Sequence, residues 1–278
     1  MPTVLITGTS KGIGFETALA FARAGYNVLA TMRNPSAAPA LAAAAKKENL
    51  PISISQLDVD SDTSVSDGIA NLLADHGSID VLVNNAGVET VGSVEECPLS
   101  LARSVMETNY FGVIRCVQAV APHMRERGSG CIVQISSVAG RFSQPPFAAY
   151  CASKWALEAM TEALAAEMKL FGIRVALIEP GVIDTAMAQR IADPTSRTLY
   201  PHLNRASGFF KTSLQESRPA TLVSDKILEV VKSGTWELRH PVGPDAVPLI
   251  SHRQSMSDED WVDWHGSNDA DFAARLPQ

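Results

Sequence analysis

The feature that most constrains the fold is an alternation. Short apolar runs, rich in β-branched residues, take turns with longer helical patterns through the first 180 residues. Strands are expected at 3–7 (TVLIT), 27–31, 52–59, 79–84, 131–136 and 173–179, the last stopped by Pro180-Gly181. Helices are expected at 12–24, 36–48 (with Pro35 at its start), 62–76, 99–127 in one or two pieces, and 147–171. Near-continuous apolar strands separated by helices predict a parallel sheet covered on both faces. Six such units without a linker or internal repeat predict one α/β domain, a doubly wound Rossmann-type sheet. A helix at 219–232, taken as the last, and a seventh strand at 235–239 complete it. The domain is expected over 1–254, followed by a tail at 255–278.

Composition narrows the function classes. Of 278 residues, 46% are hydrophobic and 19% charged, enough for a sizeable core. A net charge of −7 argues against nucleic acid as a partner. The start, MPTVLITG, enters a strand directly with no basic leader, and no apolar run reaches the ~18 residues of a membrane span. Cys97, Cys116, Cys131 and Cys151 form no C-x-x-C pair, and the six histidines fall in no ligand spacing. We therefore expect reduced thiols, no metal site and a cytoplasmic location.

Candidate sites cluster at strand ends. The turn after strand one, TGTSKGIG, carries Gly8, Gly12 and Gly14, with Ser10, Lys11 and Ile13 between them. Glycines here allow a tight turn and close approach of a pyrophosphate to a helix N-terminus. The spacing is G-x-x-x-G-x-G, and a glycine-rich turn can equally be purely structural. After strand two the chain reads Ala30-Thr31-Met32-Arg33, with no acid to accept from a ribose 2′-hydroxyl. Arg33 and Lys11 could instead meet a 2′-phosphate, although either could be an ordinary solvated cation. Asn85, Ala86 and Gly87 close strand four, and Asp58 with Val59 closes strand three, where adenine would lie. Asn109, within a helical pattern, is either a satisfied core amide or the holder of a relay water.

Tyr150 and Lys154 are four residues apart in an expected helix, so both side chains share a face within about 6 Å. An ammonium there would lower the phenol pKa from its usual value of about 10 and make Tyr150 an acid or base. Ser137, thirteen positions earlier, could hold a substrate oxygen.

Taken together, TGTSKGIG, NNAG, Asn109, Ser137, YCASK and PGVIDT resemble the short-chain dehydrogenase/reductase family in order and spacing across roughly residues 3–185. The resemblance implies that Tyr150 is the catalytic acid/base, with Lys154 lowering its pKa and binding the nicotinamide ribose. Ser137 would orient the substrate carbonyl and Asn109 would join a proton relay. Pro180, Gly181, Ile183 and Thr185 would line the nicotinamide, and basic residues at 11 and 33 match the NADP(H)-preferring pattern. Gln134 departs from the family's usual Asn. The blocks SSVAGR, YCASKWALE and ATMRN look most like the 17β-hydroxysteroid and retinol dehydrogenase subgroup.

The resulting expectation is an NADPH-dependent carbonyl reductase or alcohol dehydrogenase acting on a bulky apolar ketone or secondary alcohol. The family also implies a homodimer or homotetramer. The alternative is a non-catalytic NADP(H)-binding regulatory or scaffold protein. A hydrolytic Ser137–Lys154 pair fits worse, because no G-x-S-x-G elbow is present. The long segment at 184–212, with Met187, Leu199, Tyr200, Phe209 and Phe210, is expected to be a lid over an apolar ligand. In the tail, DEDWVDW is expected to be a short helix docking its tryptophans.

Overall fold

In a computed structural model, which describes residues 1–195, 198–216 and 218–275, seven strands form one parallel sheet. They are β1 (Thr3–Thr7), β2 (Asn27–Met32), β3 (Ile52–Gln56), β4 (Val81–Asn84), β5 (Gly130–Ile135), β6 (Ile173–Pro180) and β7 (Arg239–Val242), in the order 3-2-1-4-5-6-7. Every residue of β1 is buried, as a central strand covered on both sides must be. Its side chains alternate between two cores. Val4 and Ile6 join Phe21, Leu41 and Ile227 on one face. Leu5 joins Ile69, Met124 and Leu157 on the other. Burying each such side chain contributes about 1.5–3 kcal/mol.

The first face is covered by α1 (Gly12–Arg23), α2 (Ala40–Glu48) and α9 (Thr221–Ser233). The second is covered by α3 (Asp62–His76), α5 (Gly112–Arg127) and α6 (Ala148–Lys169). The Ser61 side chain caps α3 by accepting from Ser64 N, and Gly77, at φ 76°, ends it. Between α4 (Leu99–Met106) and α5 the helix widens into one π turn, Glu107–Phe111, which carries Asn109.

Several boundaries differ from expectation for identifiable reasons. Pro39 splits the expected 36–48 helix into a 3-10 turn at Pro35–Ala37 and α2. β3 ends at Gln56, short of the expected 59. The seventh strand is Arg239–Val242, not 235–239. β7 includes Pro241 and is the sheet edge, where a missing N–H is tolerated. The helix at Thr221–Ser233 is not the last, because α10 (Ala246–Gln254), α11 (Asp258–Gly266) and α12 (Asp269–Ala274) follow.

The segment expected as a lid contains two helices, α7 (Ala186–Ala192) and α8 (His202–Ser213). The tail docks as expected: Trp261 and Trp264 are buried against Phe142 and Ile250, and Trp261 Nε1 donates to Ser143 O at 2.9 Å. All four cysteines are unpaired. Among the described residues no helix is long and apolar enough to cross a membrane, and no cluster of three His, Cys, Asp or Glu is placed to hold a metal.

Candidate active site

One cavity of about 990 Å³ runs along the C-terminal ends of the strands, where parallel sheets of this winding bind ligands. Its first wall is the turn between β1 and α1. Gly8 adopts φ 73°, and a β-carbon there would come within 2.7 Å of Ala86 Cα. A β-carbon on Gly14 would collide with Asn85 Nδ2 and lie 2.5 Å from Gly8 O. The glycines are thus required by a second loop packed against the turn. That loop is stitched in place: Thr7 Oγ1 accepts from Asn85 N (3.1 Å) and Ala86 N (3.0 Å). Asn85 Nδ2 donates to Thr7 O (2.8 Å) and Gly8 O (3.1 Å).

Ser10, Lys11, Gly12 and Ile13 line this end, with Arg33 and Asn34 beyond them after β2. Lys11 and Arg33 are both exposed. Val59 lines the wall, but Asp58 does not. Asp58 turns into its own loop, where its Oδ1 accepts from Asp60 N at 3.2 Å. Asp60 faces the cavity in its place. Its Oδ2 accepts from Thr108 Oγ1 (3.0 Å), and its buried Oδ1 has no protein donor. Asp60, two positions from Asp58, was not among the residues singled out in the sequence.

The opposite wall carries Ser137, Tyr150 and Lys154, with Pro180, Gly181, Ile183 and Thr185 beside them. Ser137 follows β5 and starts a short 3-10 turn, its Oγ accepting from Ala139 N at 3.1 Å. Tyr150 and Lys154 emerge from the first turns of α6, as their spacing predicts. Lys154 Nζ donates to Ile135 O at 2.8 Å and sits 5.8 Å from the centre of the Tyr150 ring. Burial pushes Lys154 down to about 8, and the nearby Glu158 carboxylate opposes that shift.

The expected lowering of Tyr150 is not found. Burial pushes the phenol above its ordinary value, with the neighbouring Ser137 hydroxyl acting in the opposite direction. The ammonium is committed to a backbone carbonyl and does not reach the phenol oxygen.

Asn109 stands behind the wall. It is buried, its Oδ1 accepts from Val88 N (2.9 Å), and its Nδ2 donates to Val88 O (2.8 Å) and Ser153 Oγ (3.0 Å). Ser153 Oγ in turn donates to Tyr150 O at 2.7 Å. Asn109 therefore ties the loop after β4 to the turn of α6 that carries Tyr150.

The far end is apolar. Val138, Phe142, Phe147, Met187, Ile191, Phe209 and Phe210 line it, joined by Leu249 from α10. Phe147 and Phe210 pack with ring centres 5.9 Å apart. Of the aromatic and aliphatic lid residues singled out by sequence, Leu199 and Tyr200 lie elsewhere, Leu199 being 92% exposed. An ion pair, Arg190 Nη2 to Glu89 at 2.6 Å, crosses from α7 to the loop after β4.

The model of the short chain dehydrogenase family matches residues 2–196. The chain belongs to that family. Among its relatives within the short-chain dehydrogenases, retinol dehydrogenase 8 of Bos taurus is 40% identical over 203 residues, 72% of this chain and 64% of that protein. The match thus spans less than two thirds of that relative's length. Estradiol 17-beta-dehydrogenase 1 of Rattus norvegicus is 35% identical over 264 residues, 90% of this chain and 76% of the relative. The solved structure of a short-chain dehydrogenase from Streptomyces avermitilis superposes with a TM-score of 0.80 at 31% identity, covering 95% of this chain and 96% of the other. A gluconate 5-dehydrogenase from Burkholderia cenocepacia, solved with NADP and tartrate, gives 0.78 at 26% identity, covering 89% and 95%.

Proposed function

We propose that this short-chain dehydrogenase is an NADPH-dependent carbonyl reductase, reversible as an alcohol dehydrogenase, acting on a bulky apolar ketone or secondary alcohol. The carrying observation is that Ser137, Tyr150 and Lys154 open onto the same cavity as the glycine-rich turn, Lys11 and Arg33. The residues fit a dinucleotide. The turn has no room for side chains at Gly8 or Gly14, and the Asp60 Oδ1 stands ready to accept from an amino group at the adenosine end. Two exposed cations beside a strand end without an acid support a 2′-phosphate, hence NADPH over NADH.

When bound, the reduced nicotinamide supplies hydride to the carbonyl carbon. Ser137 Oγ holds the carbonyl oxygen, and the Tyr150 hydroxyl gives its proton to that oxygen as charge develops on it. A phenol raised above its usual pKa by burial is fully protonated at neutral pH, which suits the acid role needed for reduction. Lys154 keeps positive charge beneath the ring, and Asn109 fixes the turn that presents Tyr150. The wall of Phe142, Phe147, Met187, Phe209 and Phe210 supports an apolar substrate, as do the names of the retinol and estradiol relatives. Leu101, Phe111 and Trp155, exposed on α4, the π turn and α6, support a homodimer or homotetramer.

The test is NADPH and NADH binding, followed by NADPH oxidation with a panel of apolar ketones. Preference for NADPH that weakens in Arg33→Ala by roughly 10- to 100-fold, as the loss of charge-assisted bonds implies, supports the reading. Tight NADPH binding without turnover of any ketone would instead support the non-catalytic alternative.

A further inference from the structure

The loop after β6, residues 181–185, lines the cavity beside Tyr150, yet little within it holds it there. Among its own residues, Thr185 Oγ1 caps α7 by accepting from Ala188 N and donates to Ile183 O at 3.4 Å. From α7, Gln189 Nε2 donates to Asp184 Oδ1 (2.8 Å) and Gln189 N to Thr185 O (3.0 Å). The other backbone anchors come from the C-terminal part of the chain, beyond the residues matched by the family. Gly181 N donates to Val242 O (2.9 Å), Val182 N to Asp245 Oδ2 (2.9 Å) and Asp184 N to Arg218 O (2.8 Å).

Two of these acceptors belong to one buried pair. Arg218 Nη1 lies 3.1 Å from Asp245 Oδ1, with the two side chains 9% and 11% exposed. The other arm of Arg218 donates to Glu216 at 3.1 Å. Asp245 precedes α10 and would ordinarily cap it, but its carboxylate makes no hydrogen bond to that helix. It is turned toward the loop, filling the space beside Gly181: a β-carbon on Gly181 would overlap the carboxylate, and one on Gly243 would come within 3.1 Å of it. One turn later on α10, Leu249 reaches the cavity itself.

We infer that Asp245 and Arg218 are positioning residues for the nicotinamide half of the cofactor, setting the 181–185 loop against the reacting ring. The inference rests on the dinucleotide reading above. The adenosine half is held elsewhere, by the glycine-rich turn, Arg33 and Asp60, so the pair should matter to one end of the cofactor only. The Asp245 carboxylate accepts from Val182 N through one oxygen, and the other lies in ion-pair contact with a buried guanidinium, so the pair sets the distance of the loop from the C-terminal part of the chain. Asparagine keeps an acceptor for Val182 N but removes the buried counter-charge of Arg218, leaving only the exposed Glu216.

The experiment compares wild type, Asp245→Asn, Arg218→Met and Arg218→Lys by titration with NADPH and with adenosine 2′,5′-bisphosphate, which lacks the nicotinamide. All measurements are made well below each variant's melting temperature. Asp245→Asn and Arg218→Met should bind NADPH at least about 10-fold more weakly while binding the bisphosphate as wild type does, the difference expected when one charge-assisted contact is lost. Arg218→Lys, which keeps the charge, should recover part of the NADPH affinity. Equal losses for both probes would mean general disruption, and unchanged NADPH affinity would mean no role; either overturns the inference. Failure of the wild type to bind either probe would overturn the dinucleotide reading itself.

Discussion

The two ends of the cavity are built by different physics. At the glycine-turn end, the wall is mostly backbone: a β-carbon at Gly8 would meet main-chain atoms of Ala86, and one at Gly14 the Asn85 side chain and Gly8 O. At the apolar end, the wall is side chain, assembled from residues as far apart as Val138, Met187, Phe210 and Leu249. The first arrangement admits only certain residue types at fixed spacing. The second admits any apolar side chains that fill the space, since volume-conserving swaps are tolerated. One end of the cavity is therefore restricted in residue type, and the other is not.

The sharpest way to break this comparison is at Gly14. Gly14→Ala should weaken NADPH binding by roughly 100-fold, because a forced shift of close-packed backbone costs about 1–3 kcal/mol and here displaces the phosphate-facing turn. Titration of NADPH with a melting curve as control checks it; affinity within twofold of wild type would remove the argument from close packing. At the other end, Phe210→Ala should leave NADPH affinity unchanged and raise KM for an apolar ketone by about 10-fold, the scale of lost apolar contact in a binding pocket. Steady-state kinetics with each substrate varied in turn separates the two parameters. A change in cofactor affinity would show that the ends are not independent.

That division also explains what could be read in advance. The sheet, the order of its units and most strand ends follow from apolar periodicity, which is a local property. The glycine turn and Asn85 are legible because a nearby backbone demands those residue types, and the Tyr150–Lys154 pair because its spacing puts both on one helical face. Which of Asp58 and Asp60 lines the cavity was not legible, because it depends on how one loop turns. Leu249, Asp245 and Arg218 left no signal, since only the folded chain brings the segments before α9 and around the start of α10 back to the loop after β6 and the cavity. β7 lies at 239–242 because there it pairs with β6, and as the edge strand it tolerates Pro241. The sense of the Tyr150 shift was missed because spacing gives proximity along a helix and not the direction in which an ammonium points.

A smaller effect concerns pH. Lys154, held down to about 8 by burial, loses its positive charge as pH rises through that value. Reduction by the free enzyme, read as kcat/KM against pH, should therefore decline above about pH 8. Glu158→Gln removes a charge that raises the Lys154 pKa, so the decline should begin at lower pH; a shift upward or none would contradict the assignment. Stability follows the same group with its own sign. The unfolded chain holds this proton to about pH 10.4. It thus binds more protons than the folded protein between about 8 and 10.4, and the Lys154 contribution to stability rises with pH across that window.

The most direct test is turnover by Tyr150→Phe, with NADPH affinity measured on the same preparation. The phenyl ring keeps the packing and removes only the hydroxyl. Proton transfer by a positioned group is worth about 10²–10⁴-fold, so ketone reduction should fall by at least that factor while NADPH binds as in wild type. Near-normal reduction in the variant would show that the proton comes from elsewhere, and the account of Ser137, Tyr150 and Lys154 as the reacting centre would be wrong.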